Sequence, residues 1–137
     1  MNVINVFQFE IIIIPSNHCF ETWLLGKRGI YPSVVESDSF FYPYYAHYNI
    51  DENDPELMIP PNNVPDTIAK YHFHYLHDML RYRHLRYRKS NPPQFIKDSS
   101  YINDLVNRAT TTNHLQSFRT LYEFIQGENN LQNCNVF

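Results

Sequence analysis

Apolar side chains dominate residues 2–14, NVINVFQFEIIII, where Val3, Phe7, Phe9, Ile11 and Ile13 alternate onto one face and Pro15 closes the run. β-Branched and aromatic residues at this period predict a strand. Ile4, Val6, Ile12 and Ile14 make much of its other face apolar too, so such a strand needs a paired edge. The next segment, SNHCFETWLLG at 16–26, fits two patterns: a short helix from a Ser16 or Asn17 cap to Gly26, or one arm of a hairpin that turns at GKRG and returns through IYPSVVE. From Ser37 to Pro65 neither period holds. FFYPYYAHY is crowded with rings, DENDPE is acidic, and Pro55, Pro60, Pro61 and Pro65 exclude a long helix, which predicts an extended arm.

A helical period takes over beyond this arm. Asn63 as cap, Pro65 in the first turn, Asp66 three residues after the cap, and Pro92 and Pro93 as a stop predict one long helix over about 64–90. At 1.5 Å per residue it would be roughly 40 Å long. Its apolar positions, Ile68, Tyr71, Phe73, Tyr75, Leu76, Met79, Leu80 and Tyr82, cover more of the helical wheel than the usual core-facing stripe, so contact from two sides is expected. SSYINDLVNRA and NHLQSFRTLYEFIQG predict two further helices, the second with Asn113 and Gln116 as a capping box and Gly127 as terminator. The expected fold class is α+β: a single domain over 1–137, strand-rich in 1–36, extended in the Pro/aromatic arm 37–65 and helical in 66–137.

Composition narrows the function classes. The formal charge of the 137-residue chain is −3, so any attraction to phosphate has to come from a local patch. No run is long and apolar enough for a membrane-spanning helix, and no lysine or arginine precedes Lys27, which argues against an N-terminal targeting peptide. Cys19 and Cys134 match neither a disulfide framework nor a zinc spacing, so a reducing intracellular compartment is expected. Eleven Tyr and ten Phe against three Gly are the mark of a biased coding sequence, a weak pointer to an organelle such as the mitochondrion.

Glycines at 26, 29 and 127 are too few and too scattered for a phosphate-cradling loop or a nucleophile elbow, so no cofactor and no catalytic residue is expected. The acidic run 51–56 lacks the glycine and glutamate of a calcium loop and reads as a solvated turn. His74, His77 and Asp78 share one helix face and form a weak metal candidate, although Lys70, Arg81 and Arg88 lie on that face too. His72, on the apolar side, reads as a buried hydrogen-bonded ring. His18 beside Cys19 has no orienting third group, and Cys19 reads as a structural thiol.

RYRHLRYRK, residues 81–89, is the most charged stretch. Cations at a helix C-terminus meet the negative end of its dipole, which accounts for Arg88 and Lys89 but not for Arg81, Arg83 and the interleaved tyrosines. Tyr and Arg are favoured as anchors in protein interfaces. The expected partner-binding set is therefore Tyr71, Tyr75, Met79, Arg81, Tyr82, Arg83, Arg86 and Tyr87, in a non-catalytic accessory or structural subunit of a larger assembly. The alternative is RNA or DNA binding, as in a ribonucleoprotein component, through Arg81, Arg83, Arg86, Arg88 and Lys89. A third option folds the acidic run 51–56 back onto the basic helix end.

Overall fold

The computed structural model describes residues 19–133, with 128–133 as backbone only. Six α-helices follow in order: α1 Phe20–Leu24, α2 Tyr42–His47, α3 Ile68–Tyr82, α4 Gln94–Lys97, α5 Ser99–Thr111 and α6 Gln116–Asn133, with a 3-10 turn at Pro55–Leu57. No strand occurs among the described residues, which corrects the α+β expectation to a helical fold. The strand expected over 2–14 lies outside the described residues. Within 19–36 a short helix prevails over the hairpin, with Cys19 at its N-cap position, while the expected caps Ser16 and Asn17 lie outside the described residues. Glu21, Thr22, Trp23 and Leu24 are all buried in α1, and the carbonyls of Gly29 and Ile30 are taken by the guanidinium of Arg83 at 2.9 and 2.8 Å, not by a pairing strand.

The centre of the molecule is α3. Thr67 caps it, its hydroxyl accepting from the Lys70 amide at 3.3 Å, and Tyr71, His72, Tyr75, Leu76, Met79 and Leu80 are buried along it. The expected cap at Asn63 and the first turn at Pro65 therefore lie upstream of the helix. One side of α3 meets α1. The other is covered by the segment that lacked a period. Phe41 stands edge-on to Tyr75 at 5.5 Å between centroids, and Tyr44 lies 5.3 Å from Tyr71 and 5.6 Å from Tyr75. Residues 37–65 are thus a folded cover and not an extended arm, and the wide apolar face is filled from within the chain. Tyrosine hydroxyls reach backbone there, Tyr75 to Tyr48 at 2.5 Å and Tyr48 to Asp54 at 2.6 Å, so the rings are buried without stranding their polar ends.

Helix α3 stops well before Pro92. His84 adopts φ 61°, the Leu85 amide donates to the Leu80 carbonyl at 2.8 Å, and the His84 amide donates to the Arg81 carbonyl at 2.9 Å. This pair of reversed bonds is the Schellman ending, made here with histidine where glycine is usual. The chain then turns Tyr87 inward, 4% exposed, where its hydroxyl donates to Glu21 at 3.0 Å. Long-range contacts on both sides of the turn override the weak local preference for further helix.

Asp98 caps α5, accepting from the Ser100 amide at 2.8 Å. Helix α6 continues through Gly127, which does not terminate it as expected. Its N-terminus is capped from a distance, in place of the expected Asn113–Gln116 box. Asp54 accepts from the Leu115 amide at 3.1 Å, and Glu56 accepts from the Ser117 amide at 3.2 Å and from the Ser117 hydroxyl. Asp54 and Glu56 are consequently buried, 7% and 6% exposed, which corrects the reading of 51–56 as a solvated turn. Carboxylates are favoured there because the first amides of a helix are unpaired and carry its positive dipole end. Among the described residues no helix is long and apolar enough to cross a membrane.

Candidate functional site

The core claims much of the surface that the sequence offers to a partner. Tyr71, Tyr75, Met79 and Tyr87 are at most 4% exposed, packed inside this chain. Arg83 is tied to the Gly29 and Ile30 carbonyls and holds that loop against the end of α3. Arg81, Tyr82 and Arg86 remain at the surface.

Arg81 and Tyr82, in the last turn of α3, form one wall of a cleft of about 810 Å³. The turn of residues 36–40 forms the opposite wall with Glu36, Asp38 and Phe40. Phe40 is 46% exposed, and the Arg81 guanidinium lies over its ring at 4.4 Å from the centroid. Tyr82 meets the same ring edge-on at 6.4 Å, and its hydroxyl donates to Glu36 at 2.8 Å. The Glu36 carboxyl is held below its usual range by a backbone N–H and then by this hydroxyl, while the Tyr82 phenol is pushed up by the same bond. His84 completes the rim from the left-handed turn that ends α3. The open cleft thus sets a planar cation stacked on an exposed ring beside two carboxylates. It suits a polypeptide that presents an apolar side chain beside a charged one.

The rest of the basic block divides. Lys89 pairs with the buried Glu21 at 3.2 Å, whereas Arg86 and Arg88 are exposed. The acidic run 51–56 does not fold onto this block. It meets the start of α6 through Asp54 and Glu56, and its Asn53 carbonyl accepts from the buried guanidinium of Arg108 at 2.9 Å, which also donates to the carbonyls of Ile50 at 2.7 Å and Gly26 at 2.8 Å.

The metal candidates are paired locally. His74 contacts Asp66 at 3.1 Å and His77 contacts Asp78 at 2.9 Å, and Lys70, ahead of His74, holds the Asp66 carboxyl below its usual range. No group of three His, Cys, Asp or Glu side chains able to hold a metal occurs among the described residues. His72 is fully buried, bonded through its ring to the Thr22 hydroxyl and the Met58 carbonyl, both at 2.7 Å. Cys19 is half-buried with its sulfur 3.6 Å from the Ala69 carbonyl, and burial pushes its thiol up, away from nucleophilic use. His18 and Cys134 lie outside the described residues.

Sequence reasoning passed over Phe40, Glu36 and His84. The ring-rich FFYPYY was the available signal, since one of two adjacent phenylalanines outside any helix is left out of a core that buries the other. Phe41 is fully buried and Phe40 is not. Comparison with protein-family models, with curated proteins and with solved structures found no match to this chain.

Proposed function

We propose that the chain is a non-catalytic accessory or structural subunit that seats a segment of a partner protein in the Phe40–Tyr82 cleft. The observation that carries this reading is Arg81 stacked on the half-exposed Phe40 beside Tyr82. Large apolar rings left at a surface cost about 25 cal/mol for each Å² kept in water, and Arg with Tyr and Phe is the composition of interface anchors. Val34, 72% exposed, extends the apolar edge, since the Tyr82 hydroxyl also approaches its carbonyl at 3.4 Å. Glu36 and Asp38 in the same lining add a preference for a basic neighbour in the bound segment.

Site-specific photo-crosslinking of the full chain in native extract tests the reading. A photoreactive side chain at 40 is expected to trap one defined protein, and the Arg81→Glu background is expected to abolish that product. The same group at Ile102, which is 48% exposed on α5, serves as the control. Equal labelling from 40 and 102, or a product at 40 that survives Arg81→Glu, rejects the cleft as the contact.

A further inference from the structure

Most of the cations in this chain are compensated. Lys27, Lys70, Lys89 and Arg119 pair with carboxylates, and Arg83 and Arg108 donate to backbone carbonyls. Among the described residues Arg28, Arg81, Arg86, Arg88 and Lys97 have no carboxylate partner. All but Arg28 stand along one edge. Arg81 and Arg86 line a depression of about 350 Å³. Arg86 also borders the next, of about 420 Å³, together with Arg88, Lys97, Asn91 and Gln94. The turn through Pro92 and Pro93 brings Lys97 beside the arginines, and the Asn91 side chain accepts from its ammonium at 3.2 Å.

Neither helix capping nor general solubility accounts for this edge. Helix α3 ends at Tyr82, so Arg86 and Arg88 lie beyond the last turn, where the dipole has faded. Neighbouring cations without carboxylate partners repel one another, and an anion seated among them relieves that repulsion. We infer that the Arg86–Arg88–Lys97 depression binds the phosphate backbone of a single-stranded nucleic acid. Guanidinium forks match phosphate oxygens in pairs, and the Asn91 and Gln94 amides add donors beside them. No exposed large hydrophobic residue borders the 420 Å³ depression, the nearest being Leu85 in the adjoining one, so its lining favours a polyanion over an apolar protein segment. The 83–93 segment is an irregular turn, neither the helix nor the ribbon that enters a duplex groove, whereas three exposed cations around one open depression suit a flexible single strand.

Fluorescence anisotropy of the full chain with a labelled oligouridylate or oligothymidylate tests this. Binding at low salt is expected to weaken with a log–log slope of about −2, the release of roughly three counterions from a single strand. Arg86→Gln, Arg88→Gln and Lys97→Gln together are expected to weaken binding at least tenfold and to flatten the slope, with an unchanged thermal melt because all three side chains are exposed. Phe40→Ala is expected to leave oligonucleotide affinity within about twofold, which separates this edge from the cleft. Lack of binding at low salt, or a triple variant that binds like the parent, overturns the inference. Equal competition by polyglutamate at matched charge also overturns it, assigning the edge to an acidic protein.

Discussion

Arg108 and His114 form one hydrogen-bonded unit, in which the guanidinium donates to the imidazole Nδ1 through Nε at 3.2 Å and through Nη2 at 3.0 Å. A nitrogen that accepts from a cation cannot carry a proton, so the folded state holds His114 neutral. Burial first, and Arg108 second, push its pKa below the ordinary histidine value. The unfolded chain regains a value near ~6.5. Between that value and the lower folded one the unfolded state binds the proton and the folded state does not. The contribution is therefore complete above the unfolded value and is lost as pH falls through the folded one. Urea midpoints of the parent are expected to fall between pH 7 and pH 5. His114→Asn is expected to flatten that fall, and identical slopes for parent and variant would sink the prediction.

Arg108 itself joins three chain segments. It is 1% exposed, and its donors serve the carbonyls of Gly26, Ile50 and Asn53. Arg108→Met would leave the Gly26 and Ile50 carbonyls buried without this donor and is expected to cost about 3–5 kcal/mol. Arg108→Lys keeps a charge but not the fork and is expected to cost about 2 kcal/mol. Chemical denaturation at fixed pH measures both, and a Lys variant as damaged as Met would show that charge alone contributes nothing.

The carboxylate of Glu56 ties the 55–57 turn to α6 and, through the Ser117 hydroxyl that accepts from the Trp23 indole at 2.8 Å, to α1. Glu56→Gln retains an acceptor and loses the charge at the helix start, with an expected cost of about 1 kcal/mol. Glu56→Ala removes both carboxylate oxygens from the Ser117 amide and hydroxyl, for about 2–3 kcal/mol. Hydrogen exchange should rise at Ser117 in both variants and more in Ala. Unchanged protection would mean that the amide finds another partner.

These remote caps mark the boundary of what the chain's pattern reveals. Leu76, Met79 and Leu80 are legible as core because a 3.6-residue period needs only local residues, and α5 is legible for the same reason. The ring-rich 37–65 segment has no period, since each ring meets α3 through tertiary contact, as Phe41 meets Tyr75. Asp54 and Glu56 look like solvent-facing charges in sequence, because their partners at Leu115 and Ser117 lie far along the chain. For the cleft, Arg81 and Tyr82 were visible as residues beyond the needs of capping. Phe40 was not, because which of two neighbouring phenylalanines turns outward is decided by the fold.

The end of α3 is hidden in sequence for a different reason, since His84 gives no stop signal yet sits at φ 61° in a Schellman turn. A left-handed conformation costs an L-residue about 1–2 kcal/mol, and glycine avoids this at the expense of extra freedom in the unfolded chain. His84→Gly is expected to stabilise the protein by a net of about 0.5–1 kcal/mol, or roughly 2–4 °C in melting temperature for a domain of this size. His84→Ala keeps the strain and is expected to gain nothing. Both variants remove the imidazole from the rim of the cleft. If that ring contacts the partner, crosslinking from position 40 should fall equally in the two, while only the glycine variant melts higher. Thermal melts that rise equally for Gly and Ala would show that the left-handed backbone is not the source of the gain.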